Sequence, residues 1–393
     1  MSNRELYGRT AIVGLGRSNF PELYRTLDPT RTTEELAIAA IKQAIDDAGL
    51  TKDQIDGLIM TGNGPTAYEP LMYRAGLRDV RLLAQHPSSG RQAPIMLAHA
   101  SMAVHCGLAD YVVLVHSMNS RSRRQIIGGD NLAAQEAGDL GYLYDVAFGM
   151  TSPGAFYAMA LARYLHEYGG TEAELGAIAV SIRKHASLNA NAIMRTTFTL
   201  EEYLNTRYIA RPLRLYDYCL VNDGAVAYIV TSRERAKDLR QPPVLVASVA
   251  EKANVREWYV AEDYWRGACA SMRRDLLDSV GLTLADISAV EVYDNFTPSV
   301  LWALEGFGFA PVGEGLKWVQ DGRIGLGGEV PVNLSGGMTS EAYLQGWNNH
   351  ASAIEQLRGS AGARQTKDCR AVLYTCLSAV PGGDVLIRDD LAD

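Results

Sequence analysis

No apolar run in this chain approaches the roughly 20 residues that a helical membrane span needs; residues 111–115 (Tyr-Val-Val-Leu-Val) are typical of the longest. The first residues, Met-Ser-Asn-Arg-Glu-Leu, carry no apolar stretch of the kind that opens a secretory signal. Cysteine is scarce and unpaired in pattern. The five present (Cys106, Cys219, Cys269, Cys369, Cys376) form no CxxC spacing, which argues against a disulfide framework and against a zinc site. Excess positive charge is also absent. Lys and Arg number 37 against 45 Asp and Glu, a net charge of −8, which disfavours nucleic acid or an anionic membrane as a partner. What is present is ordinary globular composition, 47% hydrophobic and 21% charged. These balances predict a cytoplasmic protein with no bound metal. Its 393 residues leave room for two or three domains or one large fused unit.

Residues 11–16 (Ala-Ile-Val-Gly-Leu-Gly) read as a buried strand running into a glycine turn. Gly14 and Gly16 hint at a dinucleotide fingerprint, but Asn19 stands at the third glycine position and Pro21 follows, so that reading is set aside. A helix starts near Thr32, where Thr32 and Glu35 have capping-box spacing, and stops at Gly49 after an apolar face from Leu36 to Ala48. A strand follows at residues 57–60. Residues 93–106 read as a buried, nearly all-apolar helix, followed closely by the strand at 111–115. Alternating strands and helices predict an α/β fold with a parallel sheet. Residues 117–150 are polar and Gly-rich, a long cap over the core. Helices at 154–168 and 173–186 and a strand at 225–230 come next, and Arg-Gln-Pro-Pro at 240–243 reads as a linker.

The second half repeats the first. Asp46, Gly49, Leu50, Thr51 and Ile55 match Asp278, Gly281, Leu282, Thr283 and Ile287 at one constant offset, and residues 93–115 resemble 347–375 in their helix–strand order. The expected organisation is therefore one α/β unit used twice, residues 1–240 and 241–393. The two would meet sheet against sheet around shared central helices, with ligands near the seam.

Four segments carry a family resemblance: Gly-Met-Thr-Ser-Pro-Gly-Ala-Phe-Tyr at 149–157, His-Ala-Ser-Leu-Asn-Ala-Asn-Ala at 185–192, residues 212–225 ending Leu-Val-Asn-Asp-Gly-Ala, and Asn-Leu-Ser-Gly-Gly at 333–337. In order and spacing the chain resembles the thiolase superfamily, with the closest look to the sterol-carrier-protein-type (lipid-transfer-protein-like) thiolases. That resemblance implies a duplicated, five-layered α/β/α/β/α fold.

It also shows what is missing. Thiolases place a nucleophilic cysteine where a loop enters the buried N-half helix, and a helix N-terminus favours the thiolate. Here the segment is His86-Pro-Ser-Ser-Gly90, with Pro87 at the cysteine position. The histidine of the family's His-Asp-x-Phe motif is replaced in Tyr293-Asp-Asn-Phe-Thr297, and that of its Gly-His-Pro motif in Ala342-Tyr343-Leu344. Cys376, followed by Gly382 and Gly383, matches the acid/base cysteine of condensing thiolases. The tyrosine pattern resembles the steroid side-chain aldolases of this group, in which the two tyrosines are the catalytic pair.

The resemblance implies retro-aldol cleavage of a bulky β-hydroxyacyl-CoA, such as a 17-hydroxy steroid side-chain thioester giving a 17-ketosteroid and propionyl-CoA. Tyr293 and Tyr343 would supply base and acid. A phenol ordinarily ionises near pH 10, so a phenolate base calls for nearby positive charge. Residues expected to bind the thioester or its oxyanion are His86, Asp294, Asn295, Asn333, Ser335, Gly336, Gly337, Cys376, Gly382 and Gly383. No tightly bound cofactor is implied; coenzyme A enters as part of the substrate. A homodimer bound to a small OB-fold, zinc-ribbon protein is implied as well, the zinc belonging to that partner. Two other readings stay open: acyl transfer through Ser88 or Ser89, and a non-catalytic acyl-CoA-binding scaffold subunit. His185 and His350 read as structural, His99 and His105 have poor metal spacing, and Arg121, Arg123 and Arg124 form a basic patch suited to coenzyme A phosphates, to the partner or to solvent.

Overall fold

The computed structural model describes residues 2–62, 68–124, 152–252, 263–378 and 380–392. Most of the expected cap, residues 125–150, lies outside them. The described residues form eleven strands: β1 (Thr10–Arg17), β2 (Gly57–Gly62), β3 (Leu82–Gln85), β4 (Val112–Asn119), β5 (Tyr208–Ala210), β6 (Leu213–Arg214), β7 (Asp223–Ser232), β8 (Val244–Glu251), β9 (Ala289–Val292), β10 (Ala371–Cys376) and β11 (Gly382–Arg388). Their helices of ten or more residues are α1 (Thr33–Ala48), α2 (Gln92–His105), α3 (Pro153–Tyr168), α4 (Glu172–Ser187), α5 (Arg266–Leu276), α6 (Pro298–Phe307) and α7 (Trp347–Leu357).

Local chemistry sets α1 as the sequence suggests. The Thr32 hydroxyl accepts from the Glu35 N–H at 3.1 Å, Glu35 accepts from the Thr32 N–H at 3.0 Å, and Gly49 ends the helix at φ 76°. β1 differs from its expected turn. The strand continues through Gly14 and Gly16 to Arg17, with a shift of register against β7 between Ile12 and Gly14. These glycines serve close approach: a Cβ on Gly14 would stand 2.2 Å from the Ala44 carbonyl oxygen, and one on Gly16 2.0 Å from that of Ala40. The backbone of α1 thus rides directly on the strand.

Nine strands form one sheet in the order β3-β2-β4-β7-β1-β8-β11-β10-β9. The expectation of a parallel sheet holds only for β3–β2–β4 and β9–β10; every other neighbouring pair is antiparallel. The link from β10 to β11 is too short for a helical crossover, so β11 must return as a hairpin partner. The junction between the β3–β1 and β8–β9 portions is narrow, two residue pairs only, Ala11–Leu245 and Ile12–Val244. The sheet wraps at this junction, so α2 and α7 both touch strands from each portion. Ile12, Leu114, Val226, Val246, Val372 and Leu386 share one buried cluster with them. Alternate residues of the same strands (Val13, Val113, Ala227, Leu373, Val385) face outward to α1 or to α5 and α6. Layers of helix, sheet, helix, sheet and helix result, the thiolase-like arrangement. No helix among the described residues is long and apolar enough to cross a membrane.

The repeat is structural. Gly49 and Gly281 both take left-handed φ, 76° and 77°, and Thr51 and Thr283 each cap a single 3₁₀ turn through Gln54 and Asp286 before β2 and β9. Gly281 has open space where a Cβ would go. Gly281→Ala therefore isolates backbone strain: a loss of about 1 kcal/mol in urea unfolding, with Gly281→Asn losing less, is expected. Equal stability of wild type and Gly281→Ala would show that the left-handed φ is not what this glycine supplies.

Candidate active site at the seam

The C-terminal ends of β9 and β10 and the N-terminus of α2 converge on the seam. Tyr293 follows β9 directly, Cys376 ends β10, and Gly90 lies two residues before α2. A Cβ on Gly90 would fall 2.2 Å from Cε2 of Tyr293 and 2.8 Å from the Cys376 sulfur. The Tyr293 ring and the thiol thus occupy the space a side chain at 90 would take. The Tyr374 hydroxyl donates to the Gly90 carbonyl at 2.8 Å and pins the loop from the sheet side.

Tyr343 lies between a π-helical turn (Gly337–Glu341) and α7, and its hydroxyl is 3.0 Å from that of Tyr293. The Tyr343 N–H donates to the Asn222 side-chain oxygen at 2.6 Å, which tethers the loop to the start of β7. The Tyr293 hydroxyl donates to Oε1 of Gln345 at 2.8 Å. With that proton committed, the Tyr343 hydroxyl is the donor within the pair. Gln345 holds φ 54°, an uncommon conformation for a side-chain-bearing residue, as the chain doubles back into Gly346. Both phenols are more than nine-tenths buried. Burial pushes both above the ordinary phenol value, and the main electrostatic neighbours are each other, Cys376, Cys219 and, for Tyr343, Tyr157, none of them a cation. The positive neighbour that a phenolate base calls for is not among these groups.

The remaining expected site residues sort by what they touch. The Asn333 amide accepts from the Val292 N–H at 2.7 Å and donates to the Val292 carbonyl at 3.0 Å, imitating a strand partner one residue before Tyr293. Asp294 accepts from the Met338 N–H at 2.8 Å and from the Thr339 hydroxyl at 3.2 Å, which holds the π-helical turn; burial raises its carboxyl to about 6 against the pull of those donors. Asn295 accepts from the Ser299 hydroxyl, and Ser335 from the Gly337 N–H. Gly336 and Gly337 are close-packed: a Cβ on them would strike Ala186 and the Asp294 carboxylate. Gly382 and Gly383 belong to the β11 ladder, opposite Cys376 and Thr375. His86 contacts Gln92 at 3.1 Å and His99 at 3.2 Å. His185 is occupied by the Asn333 carbonyl and the Leu326 N–H, and His350 by Asp384 and the Tyr228 hydroxyl. The structure thus brings Tyr293, Tyr343 and Cys376 together, sets Asp294, Asn333 and Ser335 to fixing the loops around them, and turns His86 to a second histidine. No cluster of three or more metal-ligating side chains occurs among the described residues.

Ser88 gains nothing as a nucleophile. Its hydroxyl is buried with no hydrogen-bond partner among the described residues. Asn222 and Gln345 were not singled out from sequence. Gln345, two residues after Tyr343, was the one open to detection.

A buried pair of phenols at the seam of a duplicated α/β/α/β/α fold, with proline where a nucleophilic cysteine would stand, marks an enzyme of thiolase architecture that lacks the residue on which an acyl-enzyme forms. The comparisons agree. Residues 254–380 match the family model "Thiolase C-terminal domain-like". The 17-hydroxy-3-oxo-4-pregnene-20-carboxyl-CoA lyase of Mycobacterium tuberculosis is 34% identical over 391 residues, 97% of this chain and 100% of that one. The steroid side-chain-cleaving aldolase of Thermomonospora curvata is 34% identical over 98% of this chain and 99% of its own. The solved structure "Ltp2-ChsH2(DUF35) aldolase" superposes with a TM-score of 0.86 at 33% identity, covering 98% and 99% of the two chains. Human mitochondrial 3-ketoacyl-CoA thiolase, at 14% identity and TM-score 0.71, shares the fold. The chain belongs to the thiolase superfamily, among its steroid side-chain-cleaving aldolases.

Cys376 supplies a test of the burial argument. Burial raises its thiol to about 12, as it does for Cys219 and Cys369. At pH 8 each would then be thiolate in about one molecule in ten thousand. Iodoacetamide at pH 8 should label exposed Cys106 in the native protein and leave Cys376 unmodified, all five reacting in urea. Native labelling of Cys376 as fast as Cys106, read by peptide mass spectrometry, would refute the buried-thiol assignment.

Proposed function

We propose that this chain is a carbon–carbon lyase that cleaves a bulky β-hydroxyacyl-CoA by a retro-aldol path, with a 17-hydroxy steroid side-chain thioester as substrate and a 17-ketosteroid and propionyl-CoA as products. The observation that carries the reading is the contact between the Tyr293 and Tyr343 hydroxyls in a buried seam. The names of the 34%-identical lyase and aldolase support the steroid substrate.

The raised phenols shape the mechanism. Both are neutral at physiological pH, so we read the pair as a proton relay rather than a standing phenolate. The substrate hydroxyl gives its proton to the Tyr343 oxygen while the Tyr343 proton moves to the Tyr293 oxygen. The Cα–Cβ bond breaks, the β-carbon becomes a ketone, and the electron pair passes to the thioester as an enolate. The Tyr293 proton, held in the free protein by Gln345, goes to the α-carbon. Each tyrosine ends with one proton, and no external acid or base is consumed. In this reading Tyr343 is the base, Tyr293 the acid, and Gln345 a positioning residue. The start of α2, beside Gly90, sets the positive end of a helix toward the seam; the Gln92 N–H is spent on the Ser89 carbonyl at 2.9 Å and Pro94 has none, which leaves the Ala93 N–H to suit an enolate oxygen.

A homodimer bound to a small OB-fold, zinc-ribbon protein is the assembly we propose; the name of the similar structure "Ltp2-ChsH2(DUF35) aldolase" supports a partner. The five free cysteines fit the reducing cytoplasm.

Incubation with a β-hydroxyacyl-CoA, with and without the partner, and measurement of ketone and acyl-CoA release tests the proposal. Tyr293→Phe and Tyr343→Phe should each lower kcat by about 10²- to 10⁴-fold with folding intact by circular dichroism. Unchanged turnover in both would sink the reading. A relay of neutral phenols also predicts a flat kcat between pH 7 and 9, whereas a pre-formed phenolate base would raise kcat about tenfold per pH unit over that range.

A further inference from the structure

One cation beside the site has no anion to pair with among the described residues. Arg183, on α4, is 8% exposed. Its Nε donates to the Ser340 hydroxyl at 2.8 Å and its Nη1 to the Thr196 carbonyl at 3.2 Å. No carboxylate lies within 4.0 Å of this guanidinium among the described residues, and Nη2 has no partner there. Its plane is flanked by Phe198 and Tyr216, at 4.9 and 5.4 Å from the ring centres. A buried charge without a counter-ion is unfavourable, and burial pulls this guanidinium down to about 10. Aromatic faces offset part of that penalty but leave the hydrogen-bonding fork open.

The fork opens on a cavity of about 610 Å³, whose lining includes Tyr24, Phe198, Tyr216, Cys219 and Thr339. Two of its lining residues, Cys219 and Thr339, also touch the groups around the catalytic seam. Cys219 acts electrostatically on Tyr343, its N–H donates to the Asn295 carbonyl at 3.0 Å, and Thr339 is bound to Asp294. At the far side Tyr24 carries a second guanidinium on its face, that of Arg121 at 3.6 Å, which also lacks a carboxylate partner among the described residues. The single acid in the lining, Glu202, is engaged in its own helix cap, accepting from the Thr199 N–H at 2.7 Å.

We infer that this cavity is a phosphate-binding subsite in which Arg183, with Arg121 at the rim, takes a phosphate of the coenzyme A carrier while the thioester end reaches the tyrosines. The inference rests on the coenzyme A thioester reading above and adds to it the group recognised. A planar two-pronged donor suits phosphate oxygens, and the ligand then supplies the counter-ion that the described residues do not. The tyrosine pair, which handles only protons, has no use for this cation.

Binding tests the inference without requiring turnover, so failure of the lyase assay leaves it separately decidable. Calorimetric Kd values for coenzyme A, 3′-dephospho-coenzyme A and pantetheine would be compared in wild type, Arg183→Met and Arg183→Lys. Arg183→Met should weaken coenzyme A by about 10- to 100-fold and pantetheine by less than threefold, with Arg183→Lys between. Loss of the mutational effect on going to dephospho-coenzyme A would assign the contact to the 3′-phosphate; persistence there and loss only with pantetheine would assign it to the diphosphate. Equal Kd values for coenzyme A in wild type and Arg183→Met would overturn the inference. So would equal weakening of coenzyme A and pantetheine, the signature of a merely structural arginine.

Discussion

The site depends on a missing side chain. Because residue 90 is glycine, the start of α2 can approach the end of β9 closely enough for the Tyr293 ring and the Cys376 thiol to lie against its backbone. Any Cβ there would push Tyr293 away from Tyr343 or drive α2 off the sheet. The Tyr374 hydroxyl then locks the Gly90 carbonyl, so this approach is enforced from the floor of the site. In a thiolase this helix entrance holds the nucleophile; here proline stands at that position and a phenol from across the seam packs against Gly90, three residues on.

Holding two phenols in contact requires that two loops from opposite sides be immobile. The chain achieves this with side chains that imitate backbone. Asn333 pairs with Val292 as a strand residue would, and Asn349 donates to the same carbonyl at 3.1 Å from α7. Asp294 collects the N–H and hydroxyl groups of the π-helical turn, and Asn222 takes the Tyr343 N–H. These groups are fully buried, so each unmade bond would leave a desolvated polar atom, a penalty of about 1–3 kcal/mol. Residues that resemble binding groups in the sequence are thus occupied in fixing the positions of two that are not bonded to any scaffold by charge.

The sequence was most legible where the signal is local. The Thr32–Glu35 box, the Gly49 stop and the α2–β4 and α7–β10 order all act within a few residues, and the structure realises them. Strand direction was not legible. β7 enters between β4 and β1, and β11 between β8 and β10, choices made by pairing across long stretches of chain that leave no periodic trace. Gly14 and Gly16 misled as a turn because close helix–strand packing and a glycine turn demand the same residue. The tyrosine pair was legible by position within two motifs. Asn222 was not, because its partner Tyr343 is 121 residues away. The role of Gln345 was not, because its partner Tyr293 is 52 residues away, nor was that of Arg183, whose isolation exists only once α4 is folded against Ser340.

Burial that keeps both phenols protonated looks at first like a defect in a base, yet it follows from the site's other requirements. A retro-aldol step must shield an enolate from stray protons, which calls for a dry seam. A dry seam raises any phenol it encloses, and a cation placed there to lower it would itself need a counter-ion. Coupling two neutral phenols avoids that circle. Hydrogen-bonded at 3.0 Å, they can accept at one end and release at the other without a net charge residing on either. The relay we propose also accounts for the same replacement at both histidine positions. A hydroxyl accepts and donates through one atom, so two in contact relay a proton over a single hydrogen bond, whereas a neutral imidazole accepts at one nitrogen and donates from the other, across the width of its ring. A single tyrosine would leave the circuit open, so the two substitutions are best understood as one change.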